Sequence, residues 1–222
     1  MTRYRLPALL ALAATLAAGT ASAAEAVYVL EPEHTFPSFE ADHMGMSTWR
    51  GKFNKSSGEA RIDRERGTGR VEVTIDTRSI DFGLDALNEW AIGDQLLDTA
   101  KYPEATYRGT LTDFRDGSPR KIEGEFTLHG VTKPLTLTID RFKCQAHPLY
   151  KRDWCGADAH ATFDRSQFGL NAGKEYGFDM NVTLRIQVEA NITTDAAKTD
   201  AARSSFHRDI AAPWRDNLAN HE

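Results

Sequence analysis

From Val182 to Ala190 the chain reads Val-Thr-Leu-Arg-Ile-Gln-Val-Glu-Ala, apolar at every even position and polar at every odd one. A period of two is what a β-strand needs when one face is dry and the other wet, and it cannot lay a continuous apolar stripe along a helix. Arg70-Val71-Glu72-Val73-Thr74-Ile75-Asp76 repeats the pattern. By the same reading, strands are expected near 34–43, 47–63, 69–77, 103–115, 119–129, 133–143, 155–165 and 179–191. Turn signals separate them, among them Arg66-Gly67-Thr68-Gly69, Asp116-Gly117-Ser118-Pro119 and His129-Gly130-Val131-Thr132. Short connections favour antiparallel neighbours in up-and-down order. Eight one-sided strands close as a barrel or stack as a sandwich; a barrel has no edges to protect and is the expected fold. One stretch departs from the pattern. Leu84, Leu87, Ala91, Leu96 and Leu97 recur at roughly helical spacing, so a helical insertion is expected around 84–98, split into two short helices at Gly93 and ended by Pro103.

The two ends differ from this body. Arg3 and Arg5 precede an apolar run of 13 residues from Leu6 to Ala18, and Ala21-Ser22-Ala23 follows. Basic, apolar, then small is the order of a secretory signal peptide, and the run falls short of the roughly 20 residues of a membrane-spanning helix. Cleavage after Ala23 is therefore expected, with no stable membrane anchor and, for a bacterial source, a periplasmic product. Losing both arginines takes the formal charge from −5 to −7. An acidic protein has little attraction for nucleic acid or anionic membrane. After residue 192 the alternation gives way to Thr, Asp, Ala and Lys, and 193–222 reads as a polar tail, disordered or weakly helical. Residues 24–192 remain as one domain of ordinary size.

Catalytic signatures are sparse. The seven histidines are scattered, and no HExxH, GxSxG, GxGxxG or GxxxxGK[ST] motif occurs. Cys144, His147, Cys155 and His160 have spacings that suit zinc. An even cysteine count behind a signal peptide favours instead a Cys144–Cys155 disulfide across a hairpin, with free thiols as the third option. No cofactor, metal or catalytic residue is assigned.

Several segments, taken in order, resemble the YceI-like family of exported polyisoprenoid-binding proteins. They are His34-Thr35-Phe36 with Asp42-His43-Met44-Gly45-Met46-Ser47 and Trp49-Arg50-Gly51-Lys52-Phe53, then Val71-Glu72-Val73-Thr74-Ile75-Asp76-Thr77-Arg78-Ser79-Ile80. Leu97-Asp98-Thr99-Ala100-Lys101-Tyr102-Pro103 follows, then Gly124-Glu125-Phe126-Thr127-Leu128-His129-Gly130-Val131-Thr132-Lys133-Pro134, and finally Asp164-Arg165-Ser166-Gln167-Phe168-Gly169. The resemblance spans roughly 27–192 and implies a lipocalin-like barrel of eight antiparallel strands with a helical insertion. It further implies a long pocket for an isoprenoid or similar lipid, a periplasmic location, and no established catalytic residue. The cysteine-bracketed loop and the tail depart from the simplest family pattern.

An eight-stranded barrel encloses space for packed side chains or for one slender ligand. Strand parity points Ala157, Ala159, Ala161 and Phe163 inward together, and small residues there, with Gly124 on another strand, leave room. Larger expected wall residues are Phe36, Phe39, Met44, Met46 and Phe53, with Leu84, Trp90, Leu97, Phe126 and Leu137. The expected function is a non-catalytic carrier of a long apolar lipid, with a homodimer left open. Two other readings remain: a periplasmic redox or metal-binding module handling a quinone or haem through its histidines, and an enzyme acting on a lipid, with Arg165, His34 and His43 as first candidates.

Overall fold

The computed structural model describes residues 25–193; the expected signal peptide and nearly all of the expected tail lie outside them. Eleven strand segments form one antiparallel sheet. Three pairs of segments act as single bent strands. β1 (Ala26–Leu30) and β2 (Phe36–His43) both pair β11 (Asn181–Thr193), β1 through Val27↔Thr193 to Leu30↔Ala190 and β2 through Gln187↔Phe36 to Val182↔Ala41. β3 (Ser47–Phe53) pairs β2, and β4 (Ser56–Asp63) pairs β1. β5 (Thr68–Asp76) pairs β4, and the short β6 (Ile80–Asp81) pairs β3. With β7 (Glu104–Thr112), β8 (Lys121–Leu128), β9 (Val131–Ala146) and β10 (Asp153–Asp164), the sheet makes eight strands in up-and-down order. β11 bonds β10 on one side and β1 with β2 on the other, so the barrel is closed.

The bend between β1 and β2 has a local cause. Between Glu31 and Thr35 the regular ladder is interrupted: the Glu31 N–H donates to the Glu189 carbonyl (2.9 Å), and Thr35 Oγ1 donates to the same carbonyl (3.1 Å) and accepts from the Glu189 N–H (3.2 Å). Glu31, fully buried, accepts from Glu33 N–H and meets His34 Nδ1 at 2.5 Å. A second irregularity lies in β9. Opposite β10 the register jumps from Asp158↔Arg141 to Ala159↔Ile139, leaving Asp140 as a bulge. The bulge resets parity, so Leu135, Leu137 and Ile139 face inward before it and Phe142 after it.

The insertion is one helix rather than two. α1 (Asp85–Ile92) ends at Gly93, and residues 94–103 continue as turns, with Asp98 at φ 44° and its N–H bonded to the Gly93 carbonyl. A left-handed residue at 98 cannot continue a helix. Ala91 docks the helix on the barrel without exposed surface.

Cys144 and Cys155 are cross-strand partners and form a disulfide. Their sulfurs are therefore not thiolate ligands for zinc. His147 meets the rings of Tyr150 and Trp154 in tilted contact, and His160 bonds Asp140. In the loop-entropy treatment, the short segment between the cysteines makes the bond contribute about 3 kcal/mol. Replacing both cysteines by serine is expected to lower unfolding free energy by about that amount in urea denaturation, with the m-value changing little; an unchanged midpoint would contradict this.

Candidate functional site

Inward residues of the strands surround a cavity of about 540 Å³. All five apolar residues of the opening motif, Val182, Leu184, Ile186, Val188 and Ala190, form one wall. Ile62, Val71, Val73, Ile75 and Leu111 line it from other strands, with Phe82 just after β6 and Leu87 of the insertion. The cavity opens at the end that carries α1 and residues 165–180: Trp49, Trp90 and Tyr176 line it and are also exposed, at 38%, 44% and 70%. Phe178 meets His43 there, and Asp42 accepts from Asp179 N–H, so the β2–β3 turn and the 165–180 segment frame one mouth.

Nine of the fifteen expected wall residues line this space: Phe39, Phe53, Trp90, Leu97, Phe126, Leu137, Ala157, Ala159 and Phe163. Ala161 has the same parity and is buried, yet it packs in the core away from the open volume. The other five are corrected. Phe36 and Phe39 differ by an odd number of positions and cannot share a face; Phe39 faces in, while Phe36 lies under the ammonium of Lys52 at 4.4 Å. Met44 and Met46 belong to the β2–β3 turn and Leu84 caps α1, so all three are exposed. Gly124 leaves no room for a ligand. A Cβ there would meet Arg108 O at 2.3 Å and Tyr107 Cζ at 2.9 Å, because the Tyr107 ring crosses over it. The Tyr107 hydroxyl donates to the Ile122 and Leu135 carbonyls (3.0 and 2.9 Å), and burial pushes its pKa upward.

Far from the mouth, the Tyr28 hydroxyl donates to Asp153 (2.8 Å). Burial, reinforced by Asp153, pushes its pKa up to about 12. An unfolded tyrosine ionises near pH 10, roughly, so between there and about pH 12 the unfolded chain releases a proton that the fold retains. Stability is thus complete below that range and falls as pH rises through it. Tyr28→Phe is expected to flatten this alkaline loss in denaturation midpoints taken at stepped pH. An identical slope would contradict it.

The three residues first in line for lipid chemistry are not assembled. His34 bonds Glu31 at the strand break, and His43 stacks on Trp49 outside the cavity wall. Arg165 alone lines the cavity. The wall residues that sequence reasoning passed over, Val182 to Ala190 above all, carried their signal in the alternation itself.

Comparison with known proteins bears on what such a barrel is. Protein YceI of Escherichia coli O6:H1 is 37% identical over 121 residues, 54% of this chain and 63% of that protein, so the match spans under two thirds of that relative's length. A UPF0312 protein of Shewanella sp. (strain MR-4) is 33% identical over 184 residues, 78% of this chain and 91% of that one. A solved polyisoprenoid binding domain from Saccharophagus degradans shares the fold at a TM-score of 0.53 and 18% identity, covering 75% of this chain and 98% of that one. The family model described as the YceI-like domain matches residues 28–194, and with the closed barrel and these relatives it shows that this chain belongs to the YceI-like family.

Proposed function

We propose that this protein is an exported, periplasmic carrier that holds one long-chain isoprenoid or similar lipid in its barrel and catalyses no reaction. The carrying observation is the cavity: about 540 Å³, within the range of small-molecule sites, and lined almost wholly by hydrocarbon. Each methylene moved from water into such a wall contributes about 0.8 kcal/mol, so a long chain binds tightly with few polar contacts. The open mouth between Trp49, Trp90 and Tyr176 gives the chain a route in. The polyisoprenoid-binding description of the Saccharophagus neighbour supports the same ligand class. Export is supported by the basic, apolar and small-residue order of residues 3–23.

Protein recovered from its own source tests both parts. Organic extraction followed by mass spectrometry is expected to release one long-chain lipid per chain, and the mature N-terminus is expected at Ala24. A lipid-free protein, or one that retains Met1, would overturn the corresponding part.

A further inference from the structure

Among the described residues lining the cavity, only Asp42 and Arg165 are charged, and their situations differ. The Asp42 carboxylate is occupied: it accepts from Gly45 N–H at 2.9 and 3.0 Å and from Asp179 N–H at 3.3 Å. The half-buried Arg165 guanidinium has neutral hydrogen-bond partners alone, and the charge of Asp164 reaches it only through space. Nη1 donates to the Leu170 carbonyl (2.9 Å) and Nη2 to the Ala172 carbonyl (2.6 Å). No carboxylate of the described residues forms an ion pair with it. Asp164, its neighbour in sequence, instead turns its carboxylate to the N–H and hydroxyl of Ser166 (2.8 and 2.6 Å).

A guanidinium carries more N–H groups than these two carbonyls use, and it remains a cation at neutral pH. A cation partly withdrawn from water without a directly bonded counter-charge is costly, which is why such groups are normally paired. Here its position is also fixed in advance. The Arg165 N–H donates to the Met180 carbonyl (2.8 Å), its carbonyl accepts from Leu170 N–H (3.2 Å), and Asp164 caps the turn Arg165–Phe168. The remaining donors are thus held at the mouth end of an apolar cavity, where a ligand's head would lie if its chain ran inward.

We propose that Arg165 is the head-group site of the cavity and that the lipid it takes carries an anionic head, a phosphate or a carboxylate, on its apolar chain. This rests on the reading of the barrel as a lipid carrier and adds the class of lipid. The anion supplies the direct, hydrogen-bonded charge partner that Asp164, turned to Ser166, does not, through charge-assisted hydrogen bonds from a donor already in place.

The test compares matched ligands on delipidated full-length protein, read by tryptophan fluorescence: geranylgeranyl phosphate against geranylgeraniol, and palmitate against hexadecanol. Wild type is expected to prefer at least one anionic member over its alcohol by about tenfold or more, the scale of a charge-assisted hydrogen bond. Whichever pair shows the larger ratio identifies the head as phosphate or carboxylate. Arg165→Gln is expected to bring that ratio to about one because anion affinity falls far more than alcohol affinity, and Arg165→Lys to retain part of it. Equal wild-type affinity for anion and alcohol would overturn the proposal, whatever the variants do. So would an Arg165→Gln protein that loses both ligands in proportion, since that marks a residue that only pins the Leu170–Ala172 carbonyls. Should no ligand of either kind bind wild type, the carrier reading fails as well, which the loss of alcohol binding distinguishes from failure of the head-group assignment alone.

Discussion

Ala159→Phe is expected to empty the barrel of lipid while leaving it folded. Ala159 is buried, lines the cavity, and sits in β10 between Ile186 of β11 and Ile139 of β9. A phenyl ring at this point enters open volume and takes space from the ligand. Displacing only two methylenes of chain, at about 0.8 kcal/mol each, weakens binding more than tenfold. Extracted lipid per protein should fall accordingly, with the urea midpoint close to wild type. The opposite pattern has an equally clear meaning. Were the interior packed, the ring would overfill it at a cost of about 1–3 kcal/mol, and unchanged lipid with a lowered midpoint would return Ala159 to an ordinary core.

Phe168→Ala is expected to act in the other direction, on stability rather than on capacity. Phe168 is 2% exposed and lies outside the cavity lining. Its ring meets Phe126 at 5.5 Å and Phe163 at 5.3 Å, and those two meet at 5.4 Å, all in tilted or edge-on contact. Its carbonyl also meets His129 Nδ1 at 3.1 Å, tying the turn after β10 to the β8–β9 turn. Truncating a buried phenylalanine costs about 3–5 kcal/mol through lost transfer energy and the void left behind. Urea denaturation should show a midpoint lowered to that extent with lipid binding retained. A loss under about 1 kcal/mol would mean that the cluster does not hold this end of the barrel together.

The barrel was legible because most of its strands alternate, β9 losing the period where Asp140 bulges. Val182–Ala190 needed only the period of two, and all five of its apolar positions line the cavity. Ala157, Ala159 and Phe163 followed from parity in the same way. What failed was reading that depended on events between strands. β1 was missed, since the first strand was expected only from residue 34; its place beside β11 depends on Thr35 bonding Glu189, a contact 154 positions away. Gly124 read as open space, yet the space beside it is filled by Tyr107 from a neighbouring strand. Met44, Met46 and Leu84 are apolar but stand in a turn and at a helix end, where hydrophobicity carries no direction. Arg165 appeared as a candidate for chemistry; only the loop geometry from Leu170 to Ala172 reveals a fixed cation at the mouth.

That a lipid chain lies inside the barrel is tested most directly by photolabelling. Delipidated protein would be loaded with a geranylgeranyl analogue bearing a diazirine along its chain, irradiated, and mapped by peptide mass spectrometry. Saturable labelling is expected at one probe per protein, falling on inward positions such as Leu184, Ile186, Val188 and Ala157 and sparing their outward neighbours Arg185, Gln187 and Asp158. Labelling that does not saturate, or that falls on outward positions or on the exposed Met46 and Leu149 alone, would contradict it.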